Sequence, residues 1–161
     1  MRIAAFSGIA LGVISVFGAR DVILYNPSHS IPEGFYLRAS GPLTAGAIVT
    51  VRAIDVSPSY AALRNFAEPG DRFIKRVVAG PRQSVCAQGA ELSIDGIIVA
   101  HRFARDEAGR ELPRWEGCST LGPGELLLLG DTADSFDGRY WGPVSARMIE
   151  GVWLPLQFGV H

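Results

Sequence analysis

Chemistry-bearing residues crowd into three stretches of this chain. Residues 26–36 read NPSHSIPEGFY, with Ser28, His29 and Ser30 set between two prolines and ahead of a glycine. That composition holds the backbone in a fixed, non-helical path. A hydroxyl held this way can act as a nucleophile if a base takes its proton; otherwise such serines are solvated or cap a turn. Residues 70–78, GDRFIKRVV, carry Lys75 inside an alternating apolar pattern. Alternation puts Lys75 on the face of Phe73 and Val77, and Arg76 on that of Ile74 and Val78. An ammonium facing apolar side chains is pushed toward its neutral form, because burial disfavours charge. Bringing its pKa from about 10.4 to about 7 requires roughly 4 to 5 kcal/mol of differential stabilisation. The third stretch, residues 130–142, reads GDTADSFDGRYWG. Its Asp131, Asp134 and Asp137 recur at a spacing of three, unlike the alternating ligands of an EF-hand loop, so no metal is expected there.

Composition sharpens the lysine. Of 15 basic residues, all but Lys75 are arginine. Arginine stays protonated at any workable pH, whereas a desolvated lysine can lose its proton and act as a base; the plain alternative is codon bias. His29 adjoins Ser30, but in an extended backbone its side chain leaves on the opposite face, so it is not the expected base. His101 and His161 have no catalytic context. The formal net charge is −1, with no long run of one sign, so nothing suggests a nucleic-acid surface.

The elements that must position these groups read as short strands. With 19 glycines and 10 prolines the chain is turn-rich, which suits a β-rich fold. Residues 48–56, 72–80, 91–100, 125–131 and 147–156 carry strand patterns, with Asp95-Gly96 as a hairpin turn inside the third. Residues 57–67 read as a short helix, with Ser57 capping ahead of Pro58, and residues 102–117 as a polar surface excursion. Residues 3–19 are uncharged and apolar, somewhat short of the about 20 residues typical of a membrane span. They read as a retained anchor or a cleavable signal, and either places the remainder across a membrane. Cys86 and Cys118 match neither a metal pattern nor a CxxC motif, which leaves a disulfide or two buried thiols.

Taken together, the three stretches resemble the signal peptidase I family of serine–lysine peptidases. Ser30 before an aliphatic residue and a proline looks like its nucleophile motif. GDRFIKRVVAG is similar to its lysine box, and LGPGELLLLGDTADSFDGRYWGPV to its last box. The resemblance implies Ser30 as nucleophile and Lys75 as general base, a serine–lysine variant of the triad logic. It implies Ser28 as a hydroxyl that joins the Ser30 amide in binding the oxyanion, where losing one donor costs about 100- to 1,000-fold in rate. It further implies that Ser135 orients the lysine and that Asp137 and Arg139 form a buried ion pair. Gly138 departs from the serine usual at its place, and Thr132 stands where asparagine is common. The stretch NPSHSIPEGFY looks most like the TraF-type peptidases of conjugative transfer, which process pilin precursors and in some cases join pilin ends.

The expectation is a mostly β peptidase domain over residues 21–161, a partly open barrel-like set of sheets with one short helix, tethered by residues 1–20. The tether leaves only about 20 Å of play, at most 3.3–3.6 Å per extended residue. The domain would sit at the extracytoplasmic face of the inner membrane, need no cofactor and act on a preprotein or pilin precursor. Ile31, Phe35 and Trp141 are candidates to line a cleft for small residues such as alanine. Four rivals remain: a housekeeping signal peptidase, a self-cleaving repressor of the SOS type, an inactive paralogue, and a non-catalytic membrane-anchored β module of a secretion apparatus. An apolar N-terminus and no DNA-binding domain speak against the repressor.

Overall fold

Strands form where apolar and β-branched residues alternate, and the turns between them fall at glycine and proline. In a computed structural model, which describes residues 21–156, they assemble into two open antiparallel sheets. The anchor expected over residues 1–20 lies outside the described residues. Among the described residues, no helix is long and apolar enough to cross a membrane.

The larger sheet has seven strands. They are β1 (Ile23–Asn26), β2 (Gly34–Ala39), β3 (Ile48–Arg52), β4 (Arg72–Ala79), β9 (Glu125–Leu129), β10 (Val144–Ser145) and β11 (Ile149–Pro155). Their order across the sheet is β1-β2-β11-β3-β4-β9-β10. The smaller sheet holds β5 (Ser84–Gln88), β6 (Glu91–Ile94), β7 (Ile97–His101) and β8 (Gly117–Thr120), in the order β7-β6-β5-β8. Neither sheet closes on itself. The expected partly open barrel is thus a pair of open sheets, with β4 leading from the large one into the small one.

Register follows the sequence pattern where that pattern is strong. Asp95 and Gly96 both take positive φ (51° and 80°), the two-residue hairpin turn that suits twisted strands. In β4, Lys75 pairs across from Val49, and Lys75, Val77 and Ala79 are all buried. Leu127 and Leu129 of β9 pack with Val85, Leu92 and Ile94 of the smaller sheet. Leu126 and Leu128 face the other way, onto Val49, Val51 and Val77. The continuous apolar run 126–129 is therefore covered on both faces, as a central strand must be.

Helical structure is more divided than expected. Residues 53–56, read as the end of a strand, form α1 (Ala53–Val56) instead. The β3–β4 ladder ends at the Arg52–Arg72 pair, so Ala53 has no strand to pair with and its amide turns back to the Asp71 carbonyl (3.0 Å). The helix expected over 57–67 is α2 (Pro58–Leu63); Ser57 occupies its cap position, but its hydroxyl makes no capping bond. A third turn, α3 (Gly138–Trp141), starts at Asp137. The 102–116 stretch is not a simple surface excursion. Leu112 is buried with Tyr60, Phe136 and Tyr140, and Tyr60 donates to Asp106 Oδ2 (2.8 Å) while the Phe103 amide donates to Tyr140 Oη (3.0 Å). Cys86 and Cys118, directly opposite on β5 and β8, are bonded to each other.

Candidate active site

Ser30 sits in the turn between β1 and β2, and that turn is built by Asn26. The Asn26 amide nitrogen donates to the carbonyls of Ser28 (2.9 Å), Ile31 (2.8 Å) and Pro32 (3.2 Å), while its Oδ1 accepts from the Ser28 amide (3.0 Å). One buried side chain thus ties both limbs of the turn. Sequence reasoning missed it; the signal was an asparagine ahead of proline and a polar run, the pattern of an Asx turn. The Ser30 carbonyl is held from the other side by the Asp131 amide (2.6 Å). The 26–36 turn and the loop after β9 are thereby joined at the serine itself.

Lys75 arrives from the middle of β4. Its Nζ lies 2.8 Å from Ser30 Oγ, and the side chain is 3 % exposed. Burial lowers its pKa from the ordinary 10.5 to about 8; Asp137 and Asp131 raise it in part, while Arg139 and Arg64 lower it further. Near neutral pH a useful fraction of the amine is therefore unprotonated beside a hydroxyl in contact with it, and a proton can pass between them. Ser28 Oγ lies 3.1 Å from Ser30 Oγ and accepts from the Ser30 amide at 3.3 Å. The Ser28 hydroxyl thus lies against both the hydroxyl and the N–H of Ser30. His29 turns away to solvent, with Nδ1 2.8 Å from Glu33 Oε1.

The loop after β9 supplies the support. Asp137 is fully buried; its oxygens accept from Arg139 Nε (2.8 Å) and Nη2 (2.9 Å), from the Arg139 amide (3.0 Å) and from the Gly130 amide (2.7 Å). Arg139 also donates to the carbonyls of Ala133 and Thr132, so one ion pair closes the loop on itself. Gly138 suits this site: a Cβ there would stand 2.6 Å from the Leu128 carbonyl oxygen. Ser135 is brought to the cleft beside Lys75, but its Oγ is buried without a hydrogen-bond partner and packs on Gly130, where a Cβ would come within 2.1 Å of it. The lysine-orienting contact expected of Ser135 is not among the hydrogen bonds of Lys75 Nζ, which donates to Ser30 Oγ.

A cleft of about 680 Å³ opens over Ser28, Ser30, Lys75 and Ser135, with Phe73, Tyr60 and Phe136 among its apolar walls and the 102–116 stretch along its far side. The three side chains expected to line it lie elsewhere. Ile31, in the same turn as Ser30, is fully buried against Tyr36, Ile74 and Trp153. Phe35 lies against Tyr25 (4.9 Å between rings) on a separate groove. Trp141 stacks behind Phe73 at 5.1 Å.

A family profile described as signal peptidase, peptidase S26, matches residues 2–154. The chain belongs to this family. Two relatives, both described as plasmid transfer protein TraF of Escherichia coli, extend the likeness. One is 37% identical over 142 residues, covering 81% of this chain and 80% of its own length; the other is 32% identical over 169, covering 96% and 95%. A crystal structure of a signal peptidase I from Enterococcus faecalis V583 overlaps 70% of this chain and 97% of its own, at 20% identity and a TM-score of 0.40. Membership makes the chain a signal-peptidase-like peptidase, whose substrate class is a preprotein.

Proposed function

We propose that this chain is a membrane-anchored serine endopeptidase that removes a leader or terminal segment from an exported precursor, with Ser30 as nucleophile and Lys75 as base. The observation that carries the reading is the 2.8 Å contact between a buried, pKa-lowered lysine and a serine hydroxyl. Neutral Lys75 takes the Ser30 proton as Oγ attacks the scissile carbonyl, and the Ser30 amide and Ser28 hydroxyl receive the oxyanion. The resulting ammonium returns its proton to the leaving amine, giving an acyl-enzyme on Ser30. A water deprotonated by Lys75 then releases the product acid. An amine can intercept the same acyl group, so joining of chain ends needs no further catalytic residue.

The TraF relatives favour a pilin precursor of a conjugative system as the substrate. Two features support an extracytoplasmic, membrane-side setting. The Cys86–Cys118 bond suits an oxidising compartment. Ile23, Tyr25, Phe35, Leu37 and Leu154 are all exposed on one face of neighbouring strands β1, β2 and β11, directly after the apolar N-terminal stretch, as suits a surface resting on lipid.

The deciding experiment incubates purified full-length protein in detergent with a pilin or Ala-X-Ala preprotein precursor, beside Ser30→Ala and Lys75→Arg. Wild type should cut while both folded variants fall to background, since Lys75→Arg keeps the charge and removes the base. Mass spectrometry of the product separates linear from joined ends. Normal cutting by Lys75→Arg would refute the dyad.

A further inference from the structure

Of the three arginines along the cleft, Arg64 alone makes no ion pair with the described residues. Arg105 Nη2 lies 3.0 Å from Glu111 and Arg110 Nε 2.7 Å from Asp106, while Lys75 is bound to Ser30. Arg64, which caps the C-terminus of α2, is exposed on the same cleft wall, and its guanidinium makes no hydrogen bond or ion pair with the described residues. Its guanidinium carbon lies 5.7 Å from the centroid of the Tyr60 ring. That ring is itself held, since the Tyr60 hydroxyl is bound to Asp106. Glu107 also lines the cleft but forms no ion pair with Arg64.

An unpaired arginine on an open surface is ordinary and needs no explanation. Arg64 differs in position. It borders the cleft of the Ser30–Lys75 pair and is near enough that its charge contributes to the lowered pKa of Lys75. A second positive charge near a buried amine is unfavourable whenever that amine is protonated, and no ion pair with the described residues offsets it. We propose that Arg64 forms a subsite for a carboxylate of the bound peptide near the scissile bond, either an Asp or Glu side chain or the chain terminus. The inference rests on the cleft being the peptide site. Guanidinium recognition fits this task, because its planar fork meets a carboxylate with two parallel hydrogen bonds.

Binding tests this separately from catalysis. Full-length protein carrying Ser30→Ala, in detergent, is titrated with short fluorescent peptides built on an Ala-X-Ala junction and followed by anisotropy. In one series a single Glu or Gln moves through the positions flanking the junction; in another the C-terminus is free or amidated. One Glu position, or the free terminus, should bind about two- to fivefold tighter than its neutral counterpart, the range expected of a solvent-accessible ion pair. The series in which the preference appears distinguishes a side chain from a terminus. The preference should fade at high salt and vanish when Arg64→Gln is added, an exposed change that leaves the fold intact. Absence of any charge preference, or one that survives Arg64→Gln, overturns the subsite. Cleavage of the same peptides by the Ser30 enzyme is scored separately. Charge-selective binding without cleavage would refute the peptidase reading alone; cleavage without charge preference would refute only the subsite.

Discussion

At the scale of single residues, Lys75 is held in a state that suits proton transfer and works against stability. Burial lowers its pKa from 10.5 to about 8, which corresponds to about 3 kcal/mol of differential interaction. The sign follows from proton counting. Below about pH 8 both folded and unfolded chains carry the proton, and the folded state bears the whole penalty of a buried ammonium. Between about 8 and 10.5 the unfolded chain binds more protons, so stability rises with pH across that window. Lys75→Met should therefore raise the thermal midpoint at pH 7, with the gain shrinking as pH approaches 10.5. A Met variant less stable than wild type at pH 7 would mean that the lysine is a net stabilising group. The same titration should set the pH profile of activity: kcat/KM should climb with pH, reach half its limit near pH 8 and level off above it as Lys75 becomes free to accept a proton. Arg64 stands near enough to lower that limb, while Asp137 and Asp131 raise it.

At the scale of elements, the loop after β9 depends on one ion pair. Asp137→Ala would leave the Arg139 guanidinium buried with only carbonyl partners, and breaking such a pair costs about 3–5 kcal/mol. Urea unfolding should show a loss of that size, partly recovered in Asp137→Ala/Arg139→Met, where no charge is left stranded; an unchanged midpoint would mean water already reaches the pair. This loop and β4 were legible in the sequence for a physical reason. Period-two alternation fixes which face Lys75 takes, and the 130–142 stretch carries its own partners within a few residues. Of Asn26 only the local Asx turn to Ser28 was legible, because its bonds to Ile31 and Pro32 appear only once the chain has doubled back. The inward path of residues 102–116 was not legible either, where Arg102 and Leu112 are the buried residues and no periodicity marks them. Ile31, Phe35 and Trp141 were misplaced because proximity in sequence to Ser30, or membership of a shared box, says nothing about which face of a strand or turn a side chain takes.

At the scale of the whole molecule, the two halves of the cleft hang from different sheets. Ser30 and Lys75 belong to the seven-stranded sheet and the turn on its edge, whereas the far wall leaves β7 and returns through β8 of the smaller sheet. The Cys86–Cys118 bond anchors β8 to β5, closing a loop of sequence separation 32 that contains that wall. Chain-entropy reasoning gives such a cross-link about 3–4 kcal/mol. Cys86→Ala/Cys118→Ala should therefore lower unfolding stability by about that amount and speed proteolytic nicking within residues 102–116. The dyad contact, made wholly outside the cross-linked loop, should persist. Precursor cleavage ought then to show a raised KM with kcat largely kept, and reductant added to wild type should reproduce the effect. If kcat falls instead while KM holds, the smaller sheet acts on the geometry of Ser30 and Lys75 themselves, and the cleft works as one rigid unit rather than as a fixed dyad facing a tethered wall.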